Sequence, residues 1–341
     1  MKRWNLAITG FGAVGKAVAG LILARQERYQ NVYHADVRLT AVCGSKGGLY
    51  DQDGLTAAHL SDSGGFVQGL TGEHFIKSAQ ADVLFEAGPS DFKTGGSGYL
   101  YMKLAFHQHM HVVAISKGAL VFDYPGLRDL SKKQGVSLHL SGATAAALPT
   151  IDLLTYNLAG CEFTCIEGIL TATTNVILSQ MMEQGSSFHE ALLDAQRLGV
   201  AESDPGFDVD GWDTACKITI LANAALDAHL DIRDIERSGI GDVTIDKVNE
   251  WRDAKLVPKL IGCILKTGSE WSASVKLQLY PRDHIFGQVQ GQNRAIRVVT
   301  DVMGEFIAIG GGSEPLATAA AALKDFEHLL SSGSTEQGGS S

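Results

Sequence analysis

The chain has 341 residues, of which 45% are hydrophobic and 19% charged, and its formal net charge is −10. That length suggests two domains or one elaborated one, with ample material for packed cores, and the acidic balance argues against non-specific nucleic-acid binding, which needs a basic face. No apolar run approaches the roughly 18 residues of a membrane span, and residues 1–4 lead straight into a strand pattern with no signal peptide, so a cytoplasmic protein is expected. The five cysteines at 43, 161, 165, 216 and 263 form no CxxC pair. They read as reduced thiols, and no metal site is expected.

In chain order, residues 4–9 form an apolar strand pattern. A glycine-rich turn at 10–15 follows, then a helix over 16–25. Further strands are expected at 38–43, 81–87, 111–115 and 136–140, with helices over 99–108 and 125–133. Strands alternating with helices imply a parallel sheet with right-handed crossovers. After Pro149 the pattern changes. A strand is expected over 163–170 and helices over 173–184, 187–198 and 212–226. Ser187 and Glu190 make a capping box for the second of these helices. Strands follow at 275–280 and 295–300, then a glycine-rich stretch at 304–318 and a closing helix at 319–330. The fold class is therefore α/β: an N-terminal Rossmann-type nucleotide-binding domain over 1–140, completed by 303–330, with an α+β substrate and dimerisation domain over 141–302. Residues 331–341, rich in Ser and Gly, read as a disordered tail.

Gly10-Phe11-Gly12-Ala13-Val14-Gly15 matches the G-x-G-x-x-G dinucleotide fingerprint in its proper context, after a strand and before a helix. The first glycine permits the turn, the second lets backbone approach a pyrophosphate, and the third lets helix pack on strand. The helix N-terminus then offers N–H groups and a favourable dipole to the anion. An acid ending the second strand would bind the ribose 2′-hydroxyl of NAD. Here the sequence is Cys43-Gly44-Ser45-Lys46-Gly47, so Ser45 and Lys46 are candidates for a 2′-phosphate. NADP is the expected cofactor, with NAD possible. Ala87, Gly88, Pro89 and Ser116 follow later strands of the same domain and complete the candidate cofactor contacts with Lys117, Gly312 and Glu314.

Lys117 sits just past the 111–115 strand, where ligands bind in open α/β sheets. Lys217 stands four residues after Asp213, so a helix presents both on one face. Hydride transfer between a carbonyl and an alcohol needs a proton donor for the developing alkoxide, and an ammonium in a partly dry site supplies one. Two weaker signals stand beside these. His107, His109 and His111 alternate but lack a supporting carboxylate, which favours a surface turn over a metal site. Trp212, on an amphipathic helix, is expected in the core.

From the glycine turn through Glu86-Ala87-Gly88-Pro89-Ser90, Ser116-Lys117-Gly118, Gly142-Ala143-Thr144 and Thr171-Ala172-Thr173-Thr174-Asn175, the chain resembles the homoserine dehydrogenase family. The likeness is densest over 201–217, where Glu202, Asp208, Asp213 and Lys217 keep the family's order and spacing. It is to the short form without a C-terminal regulatory domain, which implies no threonine feedback through such a module. The resemblance implies NAD(P)-dependent interconversion of L-aspartate 4-semialdehyde and L-homoserine. Lys117 and Lys217 would be the catalytic lysines. Glu202, Asp208 and Asp213 would bind the amino-acid substrate or hold Lys217, and Thr173 and Thr174 would lie at the substrate pocket. Family members are usually homodimers paired through the substrate domain. This chain departs from the family at Ser116, usually Asn; at Thr171-Ala172, usually Asn-Gly; at Ala145-Ala146-Ala147, where glycines are common; and at Gly311-Gly312-Ser313-Glu314-Pro315. The alanines put methyl groups where backbone would approach a ligand and oppose a positive φ, which counts against the monovalent cation held there in some relatives. A dehydrogenase of another small hydroxy or oxo acid is the alternative reading, and a nucleotide-binding sensor without turnover is a third.

Overall fold

The computed structural model describes residues 1–62, 65–312 and 315–335. The chain divides into two compact units, residues 1–146 with 314–341, and residues 147–313. The first unit returns later than the sequence predicts, at the helix Pro315–Thr335 rather than at 303. The stretch expected to be a glycine-rich connection contains a strand, Glu305–Gly310, paired within the second unit. The closing helix also runs on through 331–335, which the sequence assigned to the tail.

In the first unit the strands are β1 (Lys2–Thr9), β2 (Ala35–Cys43), β3 (Gly47–Tyr50), β4 (Val67–Gln68), β5 (Val83–Glu86), β6 (His111–Ala114) and β7 (Leu138–His139). Among the described residues they form one sheet in the order β4-β3-β2-β1-β5-β6-β7. β2, β1, β5, β6 and β7 run parallel, while β3 and β4 are antiparallel additions at one edge. Leu6, Ala7 and Ile8 are wholly buried, as a central parallel strand covered on both faces requires. Strand order reverses between β1 and β5, and the glycine turn stands at the carboxyl end of β1, where open α/β sheets take their ligands. Phe326 of the closing helix is fully buried, edge-on to Trp4, Tyr29 and Phe85 at centroid distances of 6.2, 5.7 and 6.0 Å. That packing is why a C-terminal segment belongs to an N-terminal domain. The helix expected over 125–133 begins earlier, at Gly118. It breaks at Asp123, whose carboxylate accepts the Gly126 N–H and caps the segment that Pro125 opens.

In the second unit the strands are β8 (Phe163–Ile169), β9 (Glu236–Arg237), β10 (Leu256–Thr267), β11 (Glu270–Pro281), β12 (Arg294–Thr300) and β13 (Glu305–Gly310). Their order among the described residues is β13-β12-β8-β10-β11-β9. The pairings are antiparallel except that of β9 with β11. The helix Trp212–Leu226 lies so close to β10 that a Cβ at Gly262 would come within 2.6 Å of Ile218 Cγ2 and 2.8 Å of Thr214 Cγ2. Only glycine fits that contact. The helix Phe188–Arg197 opens on the capping box of Ser187 and Glu190. Trp212 is not in the core: it is 38% exposed, and the Arg237 guanidinium lies 3.8 Å over its ring.

At the end of the first unit, Ala146 has φ +50°. The chain keeps a left-handed residue at a position where alanine replaces a common family glycine. Such a conformation costs an L-residue roughly 1–2 kcal/mol. Ala146→Gly is expected to raise stability by about 1 kcal/mol net of the added unfolded-state entropy, read as a higher urea midpoint. An unchanged or lower midpoint would contradict this account of residue 146.

Candidate active site

In the first unit, a candidate cofactor site is built from the ends of three parallel strands. Gly10 has φ +84°, and a Cβ there would lie 2.3 Å from the Ala87 carbonyl carbon and 2.4 Å from the Gly88 nitrogen. The first glycine is therefore demanded by the loop after β5 as well as by its own turn. The N–H groups of Gly10 and Phe11 donate to the Cys43 carbonyl at 3.0 and 3.2 Å, tying the turn to the end of β2. A Cβ at Gly12 would meet nothing within 4 Å, and the helix Ala13–Ala24 starts at Gly12 with no side chain capping it. Open space before uncapped N–H groups suits a pyrophosphate. Ala13, Val14 and Gly15 continue into this helix, and a Cβ at Gly15 would strike the Gly10 carbonyl oxygen at 2.2 Å.

Ser45 and Lys46 are exposed at the turn from β2 to β3, which closes through Gly44 N–H donating to the Gly47 carbonyl at 2.9 Å. The strand they follow ends on buried Cys43, with no acid there. Pro89 is exposed and Gly88 half-buried. Ser116 is buried, and its hydroxyl donates to Glu86 Oε2. Gly88 N–H donates to Glu86 Oε1 at 2.8 Å. Glu86 is completely buried, and that burial pushes its carboxyl above the ordinary range, opposed by those two hydrogen bonds. Glu86 belongs to the segment that carries the family resemblance, which implies no role for it. Its signal was an acid ending a strand beside glycine. Lys117 is half-buried, and its backbone N–H donates to Ser90 Oγ at 3.0 Å, just before the helix Gly118–Lys133. Gly312 offers its carbonyl to Arg294 at 3.1 Å. Glu314 lies outside the described residues.

In the second unit, Lys217 and Asp213 are 7% and 6% exposed and form an ion pair through Asp213 Oδ2. Lys217 Nζ also donates to the Leu170 carbonyl at 2.7 Å. The Thr171 hydroxyl donates to Asp213 Oδ2 at 2.7 Å and lies 2.9 Å from Thr214 Oγ1. Sequence reasoning noted Thr171 only as a departure, yet it supports the carboxylate directly. Its position between β8 and the helix Ala172–Gln184 was the available signal. Thr173 forms a second cluster: its hydroxyl contacts Asp208 Oδ2 and, at 3.1 Å, the Val200 carbonyl. Thr174 turns inward to the Thr171 carbonyl at 3.2 Å. Glu202 is exposed, and among the described residues only its carbonyl is engaged, by Gln196 at 2.9 Å. The structure thus joins Lys217 with Asp213 and Asp208 with Thr173, and leaves the Glu202 carboxylate in solvent.

The alternating histidines separate. His109 Nδ1 lies 3.2 Å from the Gln134 carbonyl, His111 accepts the Ser137 N–H at 3.1 Å, and His107 is exposed. Cysteines 165 and 263, distant in sequence, come together on β8 and β10. Their thiols share a hydrogen bond that holds Cys165 below the usual thiol range and Cys263 above it.

A doubly wound unit with an anion-ready glycine turn, and an α+β unit carrying a buried lysine–aspartate pair, are the parts of a two-domain nicotinamide-dependent dehydrogenase. The family description of homoserine dehydrogenase matches residues 149–326. A homoserine dehydrogenase of Methanocaldococcus jannaschii is 32% identical over 96% of this chain and 99% of its own length. An NAD(+)-dependent homoserine dehydrogenase of Pseudomonas canavaninivorans is 31% identical over 99% of each chain. The crystal structure of the Staphylococcus aureus homoserine dehydrogenase at pH 6.0 superposes with a TM-score of 0.78 at 26% identity, covering 96% of this chain and 76% of that one. The chain belongs to the homoserine dehydrogenase family, oxidoreductases that act on a CH–OH group. Among the described residues, no helix is long and apolar enough to cross a membrane.

The buried Glu86 carboxyl makes a pH prediction. Its folded pKa is raised above the unfolded value of about 4.3, so the folded state keeps the proton longer. Its stabilising contribution is full below the unfolded pKa and is lost as pH rises through the folded pKa. Thermal melts across acidic and neutral pH should show this decline in the wild type and its absence in Glu86→Gln. Parallel curves for the two proteins would rule it out.

Proposed function

We infer that Lys217, held by Asp213, transfers the proton in the interconversion of L-aspartate 4-semialdehyde and L-homoserine. The observation that carries this reading is the buried pair itself. Asp213 and the Leu170 carbonyl fix the ammonium out of bulk water, and Thr171 in turn fixes the carboxylate. A positioned ammonium of this kind protonates the alkoxide formed on reduction and accepts that proton on oxidation. Its charge also stabilises the oxyanion more strongly in a dry site than in water. Asp208 and Glu202 are read as carboxylates for the substrate ammonium, with Thr173 orienting Asp208. Thr174 is read at the pocket wall, and Lys117 is the second lysine that the family resemblance assigns to the reaction.

The residues present fit a nicotinamide dinucleotide, which supplies or accepts the hydride. The pyrophosphate is assigned to residues 10–15, and Ala87, Gly88, Pro89, Ser116 and Gly312 are read as further contacts. NADP is proposed as the preferred form, with NAD also accepted, because two exposed donors, Ser45 and Lys46, stand where an NAD-selective acid would. One assay tests both assignments: oxidation of L-homoserine with NADP and with NAD. Lys217→Ala should lower kcat by about 10²–10⁴-fold while cofactor affinity persists. Lys46→Ala should raise KM for NADP about tenfold or more and leave KM for NAD unchanged. Full turnover in Lys217→Ala would sink the proton-transfer role, and equal effects on both cofactors would sink the 2′-phosphate role.

We read the functional unit as a cytoplasmic homodimer. One face of the second sheet carries Leu265, Ile307 and Ile309, at 45, 37 and 46% exposure. Their registers through Cys165, Val299 and Glu305 put them on the same side. The same side carries Arg297 paired with Glu167 and Glu305, and a face mixing exposed apolar side chains with satisfied ion pairs suits a second copy. Sedimentation velocity should give twice the monomer mass, with Ile309→Asp shifting the chain to monomer. A monomeric wild type at micromolar concentration would end this reading.

A further inference from the structure

The second unit holds a cavity of about 260 Å³ that none of the residues above lines. Its most unusual wall is Lys259, an amine in the middle of β10 that is only 1% exposed. Two of its three N–H groups are accepted by Asn175 Oδ1, at 2.6 Å, and by the Val289 carbonyl. Among the described residues no carboxylate hydrogen-bonds to it. Glu183 acts on it through space alone, and burial brings the amine down to about 8, so it stays mostly charged in neutral solution. A buried cation without a paired anion is unfavourable, and here the cation borders a void.

Most of the rest of the lining is polar or charged. Arg282 is exposed on the same cavity, and its guanidinium makes no hydrogen bond or ion pair among the described residues. Glu183, also exposed, adds one negative charge, while Ser179, Gln288 and Gln290 add a hydroxyl and two amides. Two cations and one carboxylate offer opposite charges to the two ends of a zwitterion, the cations to a carboxylate and Glu183 to an ammonium. A carboxylate meets an ammonium and a planar guanidinium well. A phosphate dianion would face repulsion from Glu183, which favours a ligand carrying its own ammonium. The volume accommodates a small ligand, and the cavity adjoins a second of about 540 Å³ through Ser179, Glu183 and Gln290. We propose that this cavity binds a small α-amino acid, with its carboxylate between Lys259 and Arg282 and its ammonium toward Glu183.

The test is calorimetric titration of the full chain with glycine, L-alanine, sodium acetate and inorganic phosphate. Saturable binding of glycine or L-alanine is expected, weakened at least tenfold in Arg282→Ala. Glu183→Gln should weaken the amino acids and, by removing a repelling charge, leave acetate binding as tight or tighter. Arg282 and Glu183 are exposed, so both variants should fold even if Lys259→Met does not. An amino acid bound instead through the Asp208 and Lys217 region would be indifferent to Arg282. The proposal is overturned if neither amino acid binds saturably, if Arg282→Ala keeps wild-type affinity, or if phosphate binds more tightly than glycine.

Discussion

An ammonium and a carboxylate held out of water constrain everything packed around them. Breaking such a pair by removing one partner typically costs 3–5 kcal/mol, because the other charge is left buried and alone. Lys217 and Asp213 meet that constraint by standing at i and i+4 on one helix, so the pair forms wherever the helix forms. The remaining hydrogen bonds come from the strand-to-helix junction at Leu170 and Thr171. β8 must therefore end beside the helix Trp212–Leu226. Gly262 on the neighbouring β10 permits the approach, since any side chain there would collide with Ile218 and Thr214. A small residue on one strand thus helps to locate the amine on a distant helix.

The nucleotide-binding unit is organised around a different constraint, backbone approaching backbone. Gly10 is held between the end of β2 and the loop after β5, so three strand ends converge at the point where strand order reverses. Glu86 belongs to the same convergence. It accepts from Gly88 on one side and Ser116 on the other, joining two loops that the cofactor reading uses. The serine that replaces the family's usual asparagine still donates to a carboxylate, so the departure at 116 retains a donor.

Much of this was legible in local pattern. The G-x-G-x-x-G turn, the Ser187–Glu190 box and the helix over 212–226 are encoded by residues within a few positions of one another, and the structure shows each of them. Less legible were segments whose pattern is set by neighbours. β10 carries Pro258 and Lys259 inside its apolar run and was not read as a strand, although its long antiparallel pairing with β11 holds it. β13 is flanked by glycines and alternates exposed with half-buried residues, the mark of an edge strand, which its surroundings disguised as a loop. The Trp212 ring was expected inward because helical spacing reports a face, and it cannot report that Arg237 would cover it.

By itself the sequence determined the chemistry on offer: an anion-binding turn, an acid-free end to the second strand, and a lysine one helical turn from an aspartate. These depend on covalent order and on helix or turn geometry, which act over a few residues. Only tertiary structure decided that Thr171 supports Asp213, that Glu86 is the partner of Ser116, and that Lys259 is buried against Asn175 beside an open cavity. Those contacts join residues 30 to 84 positions apart. Strand register and helix packing set them, and both are chosen by burial of the whole core rather than by any local run of side chains.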